Sequence, residues 1–111
     1  MVSIITVSYN SRQTIEKTIE SVLNQTYDDI EYIIIDGNSS DQTVNIIKSY
    51  EDSFIKKGYS YRWISENDDG IASAWNKGLK MAKGDIIALL NSDDWYAVSY
   101  THLTLPTKRI V

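Results

Sequence analysis

Apolar positions along this chain follow two alternating rhythms. Residues 3–8 (SIITVS) form a short β-branched run that Tyr9, Asn10 and Ser11 interrupt, the pattern of a strand followed by a turn. From Thr14 the period changes: Ile15, Ile19, Val22 and Leu23 recur at i, i+4, i+7 and i+8, with Glu16, Lys17 and Glu20 on the other side. This predicts an amphipathic helix capped by Ser11 and ended by the polar residues 25–29. Residues 30–35 are almost continuously apolar, as suits a parallel strand covered on both faces. A polar turn over residues 36–41 leads to a second helix in which Val44, Ile47 and Tyr50 share a face. Residues 59–64 make a third, weaker strand, residues 71–82 a third helix, and residues 86–90 a fourth strand. Lys83-Gly84 closes the third helix, with glycine expected at positive φ.

The order βαβαβαβ with short links predicts a parallel sheet with right-handed crossovers, an open, Rossmann-like α/β architecture. Each strand ends in a polar cluster: Ser8-Tyr9-Asn10, Asp36-Gly37-Asn38-Ser39, residues 65–70 (SENDDG), and Asn91-Ser92-Asp93-Asp94. A parallel sheet brings all four to one rim, and open α/β sheets bind ligands beyond the carboxyl ends of their strands, where the strand order reverses. Loops are polar for solvation alone, but four such clusters on one edge point to a site.

Composition narrows what that site can hold. A chain of 111 residues accommodates one small domain, and 42% hydrophobic with 23% charged residues is ordinary for a folded protein. A net charge of −4 offers no basic face to neutralise phosphates along a duplex, so nucleic acid is excluded as a partner. With no cysteine there is neither a disulfide framework nor a thiolate metal site, and any metal must be held by oxygen. The start lacks the basic residues and apolar length of a signal peptide, and no run approaches the ~20 apolar residues of a membrane span, so the expectation is a cytoplasmic protein.

After the first strand the chain reads Ser8-Tyr9-Asn10-Ser11-Arg12, without the glycines of a dinucleotide fingerprint or a P-loop. A carboxylate-bearing rim without cysteine or histidine suits a hard cation, Mg²⁺ or Mn²⁺, which takes one or two carboxylates and completes its shell with phosphate and water. The expected ligand is therefore phosphorylated.

The ordered set Ile4-Ile5-Thr6-Val7-Ser8-Tyr9-Asn10, Ser21-Val22-Leu23-Asn24-Gln25-Thr26-Tyr27, Ile33-Ile34-Ile35-Asp36-Gly37-Asn38-Ser39-Ser40-Asp41, Asp69-Gly70-Ile71, Asn76-Lys77-Gly78 and Asn91-Ser92-Asp93-Asp94-Trp95 resembles the amino-terminal half of a family 2 glycosyltransferase of GT-A fold. Such enzymes transfer a sugar from a nucleoside-diphosphate sugar, commonly a UDP-sugar, to a glycan or lipid acceptor with inversion. The resemblance implies that Thr6, Ser8 and Tyr9 line the nucleotide pocket, with the Tyr9 ring against the base. Asp36 either accepts a hydrogen bond from base or ribose or organises its turn; many relatives have two acidic residues here, whereas this chain has Asp36-Gly37. Asp94 matches the cation ligand, with Asp93 on the ribose or on the metal through water. Asp68, Gly70 and Lys77 match a loop and helix in which the lysine ammonium meets phosphate. Family members act in polysaccharide or glycolipid assembly, which implies peripheral association with the inner face of a membrane.

The resemblance covers residues 1–96. Residues 97–111 depart from it, resemble translated adapter or read-through sequence, and are expected to be a non-native tail. The acceptor half and its general base have no counterpart here, so the chain alone is expected to be inactive, with the fourth strand left as an open edge. The competing class is a non-catalytic nucleotide-binding or regulatory α/β domain of receiver type. That class would place acids after the first strand, where this chain has Ser8-Tyr9-Asn10.

Overall fold

In the computed structural model, which describes residues 1–67, 71–90 and 109–110, the chain forms a parallel sheet flanked by helices. The elements are β1 (Val2–Ser8), α1 (Ile15–Leu23), β2 (Ile30–Asp36), α2 (Thr43–Ser49), α3 (Glu51–Lys57), β3 (Ser60–Ser65), α4 (Ile71–Met81), β4 (Ile86–Leu89) and β5 (Arg109–Ile110). The strand order is β3-β2-β1-β4-β5 and every pairing is parallel. The chain thus winds outward from β1 through β2 to β3, then returns by α4 to the other side of β1. The reversal falls between β1 and β4.

Both faces of the sheet are covered, which is why β1 and β2 read as apolar runs rather than alternating strands. On one face Val2, Ile4, Tyr32, Ile34 and Ala88 meet Ile15, Ile19 and Val22 of α1, Ile47 of α2 and Phe54 of α3. The Phe54 and Tyr61 rings stack there, their centroids 4.3 Å apart. On the other face Ile5, Val7, Ile33, Ile35 and Ile87 pack with Ala74 and the half-buried Trp75 and Leu79 of α4. Helix α4 approaches closely enough that a Cβ on Gly78 would lie 2.4 Å from Ile5 Cγ2.

The structure differs from the sequence expectation at four places. Residues 51–57, left unassigned, form α3, which holds one buried side chain, Phe54, and ends at Gly58 with φ +86°. Ser11 does not cap α1 with its side chain; its carbonyl accepts from the backbone of Thr14 and Ile15 while its hydroxyl donates to the Tyr9 carbonyl. Gly84 is not among the positive-φ glycines. What it provides is space, because a Cβ there would lie 2.6 Å from the Met1 carbonyl oxygen and 2.8 Å from Ser3 N. Finally, β4 is not left open: Arg109 and Ile110 pair beside Ile86 and Ile87.

A buried carboxylate ties the lower end of the sheet, opposite the rim. Glu31 accepts from Ser3 Oγ at 2.7 Å and from Lys83 N at 2.9 Å, and pairs with Arg62, which also donates to the Met81 carbonyl. Burial alone would raise its pKa, but the hydrogen bonds from Lys83, Ser3 and Arg62 and the guanidinium charge outweigh it and hold the carboxyl below its ordinary 4.5. A depressed folded-state pKa gives stability that is fully present above the unfolded value and is lost as pH falls through the folded one. Urea midpoints are therefore expected to drop as pH falls below the ordinary carboxyl value of 4.5, with a shallower drop in Glu31→Gln. An equal pH slope in the two proteins would remove Glu31 from the account.

Candidate functional site

The upper ends of the strands meet on one rung: Ser8 of β1 is in register with Asp36 of β2, and Asp36 with Ser65 of β3. Asp36 is wholly buried. Its Oδ1 accepts from Ser8 Oγ at 2.8 Å and from Ser39 Oγ at 2.6 Å, and its Oδ2 from Ser39 N and Ser65 Oγ, both at 2.8 Å. A carboxylate offers about four lone-pair positions, and protein donors occupy all of them. The rung continues upward in the backbone, where Gly37 N donates to the Ser8 carbonyl and Glu66 N to the Asp36 carbonyl.

Above this rung the loops after β1 and β2 are stitched together. Asn10 N donates to Ser39 Oγ at 2.8 Å, Ser40 N donates to Asn10 Oδ1 at 2.8 Å, and Ser11 N donates to Thr43 Oγ1 at 2.9 Å. Asp41 accepts from Arg12 N, Thr43 N and Thr43 Oγ1. Burial opposes its ionisation, but the bonds from the Thr43 side chain, Thr43 N and Arg12 N prevail and lower its pKa. Among the described residues, Asn10 and Asn38 are the non-glycine residues with positive φ, +47° and +64°, a conformation asparagine tolerates better than most. Beside the stitch lies an open polar cavity of about 430 Å³ lined by Asn10, Ser11, Arg12, Gln13, Thr14 and Asp41.

The sequence candidates are distributed unequally over this frame. Thr6 is wholly buried two residues below the rim, its hydroxyl 2.7 Å from the Tyr32 hydroxyl. Ser8 is buried and donates to Asp36. Tyr9 stands out, 64% exposed between two anchored neighbours. Lys77 lies on α4, paired with Glu66 at 3.0 Å and donating to the Asn67 carbonyl at 3.3 Å, so it ties the start of the β3–α4 loop. Asp68, Asp93 and Asp94 lie outside the described residues. Among the described residues no group of three or more acids or histidines could hold a metal. What the described structure gives is the base of the last cluster: Leu90 N donates to the Ile5 carbonyl at 2.9 Å, so the chain leaves β4 alongside β1.

Sequence reading named Asn10, Ser39 and Ser65 only as loop polarity. The usable signal was the spacing of Asp36 and Ser39, in which an aspartate accepts from a residue a few positions on and turns the chain. The part of Ser65 depends on cross-strand register, which a single sequence does not print.

A parallel sheet with its order reversed between β1 and β4, and polar loops joined above β1 and β2, defines an open α/β domain of the kind that binds ligands at a switch point. Comparison with known families makes the class specific. The chain belongs to glycosyl transferase family 2, whose model matches residues 3–103. It is 44% identical over 102 residues to the UDP-Glc:alpha-D-GlcNAc-diphosphoundecaprenol beta-1,3-glucosyltransferase WfaP of Escherichia coli, covering 89% of this chain and 38% of that protein. Among solved structures it resembles S. aureus TarS 1-349 in complex with UDP-GlcNAc, with TM-score 0.74, 26% identity, and coverage of 85% of this chain and 27% of that one. The mannosyltransferase PcManGT of Pyrobaculum calidifontis, solved with GDP-Man and Mn²⁺, shares the fold at TM-score 0.78 and 24% identity, over 87% of this chain and 28% of that one. The fold is that of GT-A glycosyltransferases, and the chain spans between about a quarter and two fifths of the length of these relatives. Among the described residues no helix is long and apolar enough to cross a membrane.

Proposed function

We propose that this chain is the donor half of an inverting glycosyltransferase, binding a nucleoside-diphosphate sugar, with uridine as the base, at the β1/β4 switch point. One observation carries the reading: the exposed aromatic Tyr9 follows β1, and β4, which pairs with β1, leads in sequence into Asn91-Ser92-Asp93-Asp94. An aromatic face after one strand and a carboxylate pair after its neighbour suit the two ends of a nucleoside diphosphate. The relatives' names support the donor, since WfaP is named for UDP-Glc and TarS was solved with UDP-GlcNAc.

In this reading Tyr9 stacks on the base and Ser8 and Thr6 support the pocket wall from beneath. Asp36 fixes the wall by holding Ser8, Ser39 and Ser65. Asp68 belongs to the β3–α4 connection and Lys77 to α4, with Lys77 exchanging Glu66 for phosphate. Asp94 holds Mn²⁺ or Mg²⁺ and Asp93 reaches the ribose or the metal's water shell. The cation, when bound, neutralises charge developing on the departing diphosphate. The general base and the glycan or lipid-linked acceptor site belong to regions of the relatives that this chain does not match, so the chain alone binds donor without transferring sugar. The diphosphoundecaprenol acceptor in the WfaP name supports a lipid-linked acceptor for the whole enzyme, and the reading puts that enzyme at the inner, cytoplasmic face of a membrane. The reading takes residues 1–96 as the donor half and residues 97–111 as a non-native tail, although the family match runs on to residue 103.

Calorimetric titration with uridine diphosphate tests this. Binding is expected to be at least about tenfold tighter with Mn²⁺ than without, about 1.4 kcal/mol, and Asp94→Ala is expected to abolish the difference. Equal affinity with and without metal, in a protein that remains folded, would sink the metal-assisted donor site.

A further inference from the structure

The exposed ring of Tyr9 is attached to backbone that would not hold its position unaided. Asn10, next along the chain, sits at φ +47°, where a side chain crowds its own carbonyl. Two contacts from the neighbouring loop keep it there. Its amide donates to Ser39 Oγ at 2.8 Å, and its side-chain oxygen accepts from Ser40 N at 2.8 Å and Ser40 Oγ at 3.4 Å. On the other side of Tyr9, Ser8 is fixed by Asp36. The Ser39 hydroxyl joins the two anchors, since it donates to Asp36 Oδ1 at 2.6 Å while accepting from Asn10 N.

We infer that Ser39 is a positioning residue for nucleotide recognition: its hydroxyl relays the buried Asp36 to the Asn10 amide and so sets the Tyr9 ring where a nucleobase stacks. This rests on the donor-site reading above. Ser39 touches no part of the ligand itself. Because Asn10 and Tyr9 are exposed, water can satisfy the Asn10 amide when the hydroxyl is removed, and Asp36 Oδ1 keeps its bond from Ser8, so the fold loses one bond to that carboxylate and not the rung. What is lost is the single orientation of the ring, and a binding partner must then select it from several.

The test uses the full 111-residue chain and uridine diphosphate with Mn²⁺. Ser39→Ala is expected to weaken binding roughly fivefold to tenfold, the worth of about one hydrogen bond, while the chain stays folded with a melting temperature lower by roughly 4 to 8 °C. Ser39→Thr, which keeps the hydroxyl, is expected to restore affinity to within about twofold. Amide exchange at Asn10, followed by NMR without ligand, is expected to accelerate about tenfold in Ser39→Ala and to remain slow in Ser39→Thr. Unchanged affinity in Ser39→Ala, or an Asn10 amide still protected in it, overturns the inference. A loss of affinity that Ser39→Thr fails to rescue overturns it as well. If the unaltered chain binds no uridine diphosphate, the donor-site reading falls and the role of the ring falls with it. Binding by the unaltered chain that Ser39→Ala leaves intact removes only the positioning role.

Discussion

Asp36→Ala is expected to cost about 3 to 5 kcal/mol, near the lower limit of a small domain's whole stability. The substitution strands four donors at once, on Ser8, Ser65 and both the hydroxyl and the backbone of Ser39, all gathered on a wholly buried carboxylate. The hydroxyls can rotate toward other acceptors; the Ser39 N–H cannot. Asp36→Asn should be milder, about 1 to 2 kcal/mol, because its NH₂ can face the Ser8 and Ser39 hydroxyls, which can accept, while its oxygen keeps Ser39 N and Ser65. Urea denaturation of the three proteins gives the order directly. A destabilisation by Ala below about 1 kcal/mol, or Asn as damaging as Ala, would show that this rung does not anchor the strand ends.

Gly84→Ala ranks second, at about 3 kcal/mol and a fall in melting temperature of roughly 12 °C or more. Its added Cβ would meet the Met1 carbonyl oxygen at 2.6 Å and Ser3 N at 2.8 Å, both backbone atoms of the central strand's entry. The same Met1 carbonyl accepts from Asp85 N at 3.0 Å, and Gly84 N donates to Ser3 Oγ at 2.8 Å, so relief of the clash pulls apart the turn that delivers β4. Gly58→Ala is the contrast: it has open space around it but a φ of +86°, so its cost is conformational, about 1 kcal/mol. Scanning calorimetry of both variants separates the mechanisms. Equal losses would mean that close approach is not what position 84 requires.

Strands β1, β2 and β4 were legible because each is a dense run of apolar, largely β-branched residues, and a buried parallel strand needs no alternation for a reader to find it; β3, with Ile64 its one β-branched residue, read more weakly, and β5 falls in the expected tail. Helices α1 and α2 were legible through their repeats. Helix α3 was not, because Phe54 is its one buried side chain while Ile55 is exposed, and a single anchor sets no period. The rim was legible as polarity, and Tyr9 as an aromatic in a turn. The division of labour between Tyr9 and Asp36 was not, since both are simply loop residues in sequence. Only register puts Ser8 and Ser65 on either side of Asp36, which turns an apparent ligand group into one whose acceptor positions are filled from within. Gly84 was read through the wrong property for a related reason: conformational freedom is a local attribute, whereas contact with Met1 spans the whole domain.

The central place of β1 has a consequence for how the molecule comes into being. Its first neighbour, β2, pairs Val2 with Ile30, but its second, β4, pairs Val2 with Ile86. A ribosome therefore delivers the strand that completes β1 long after β2, with Ile86 following Ile30 by a whole β3 and three helices. Until then a row of unsatisfied amides and carbonyls on a buried, apolar strand faces solvent, an open template for any other extended chain. The strand at the heart of the finished sheet is, during synthesis, its edge.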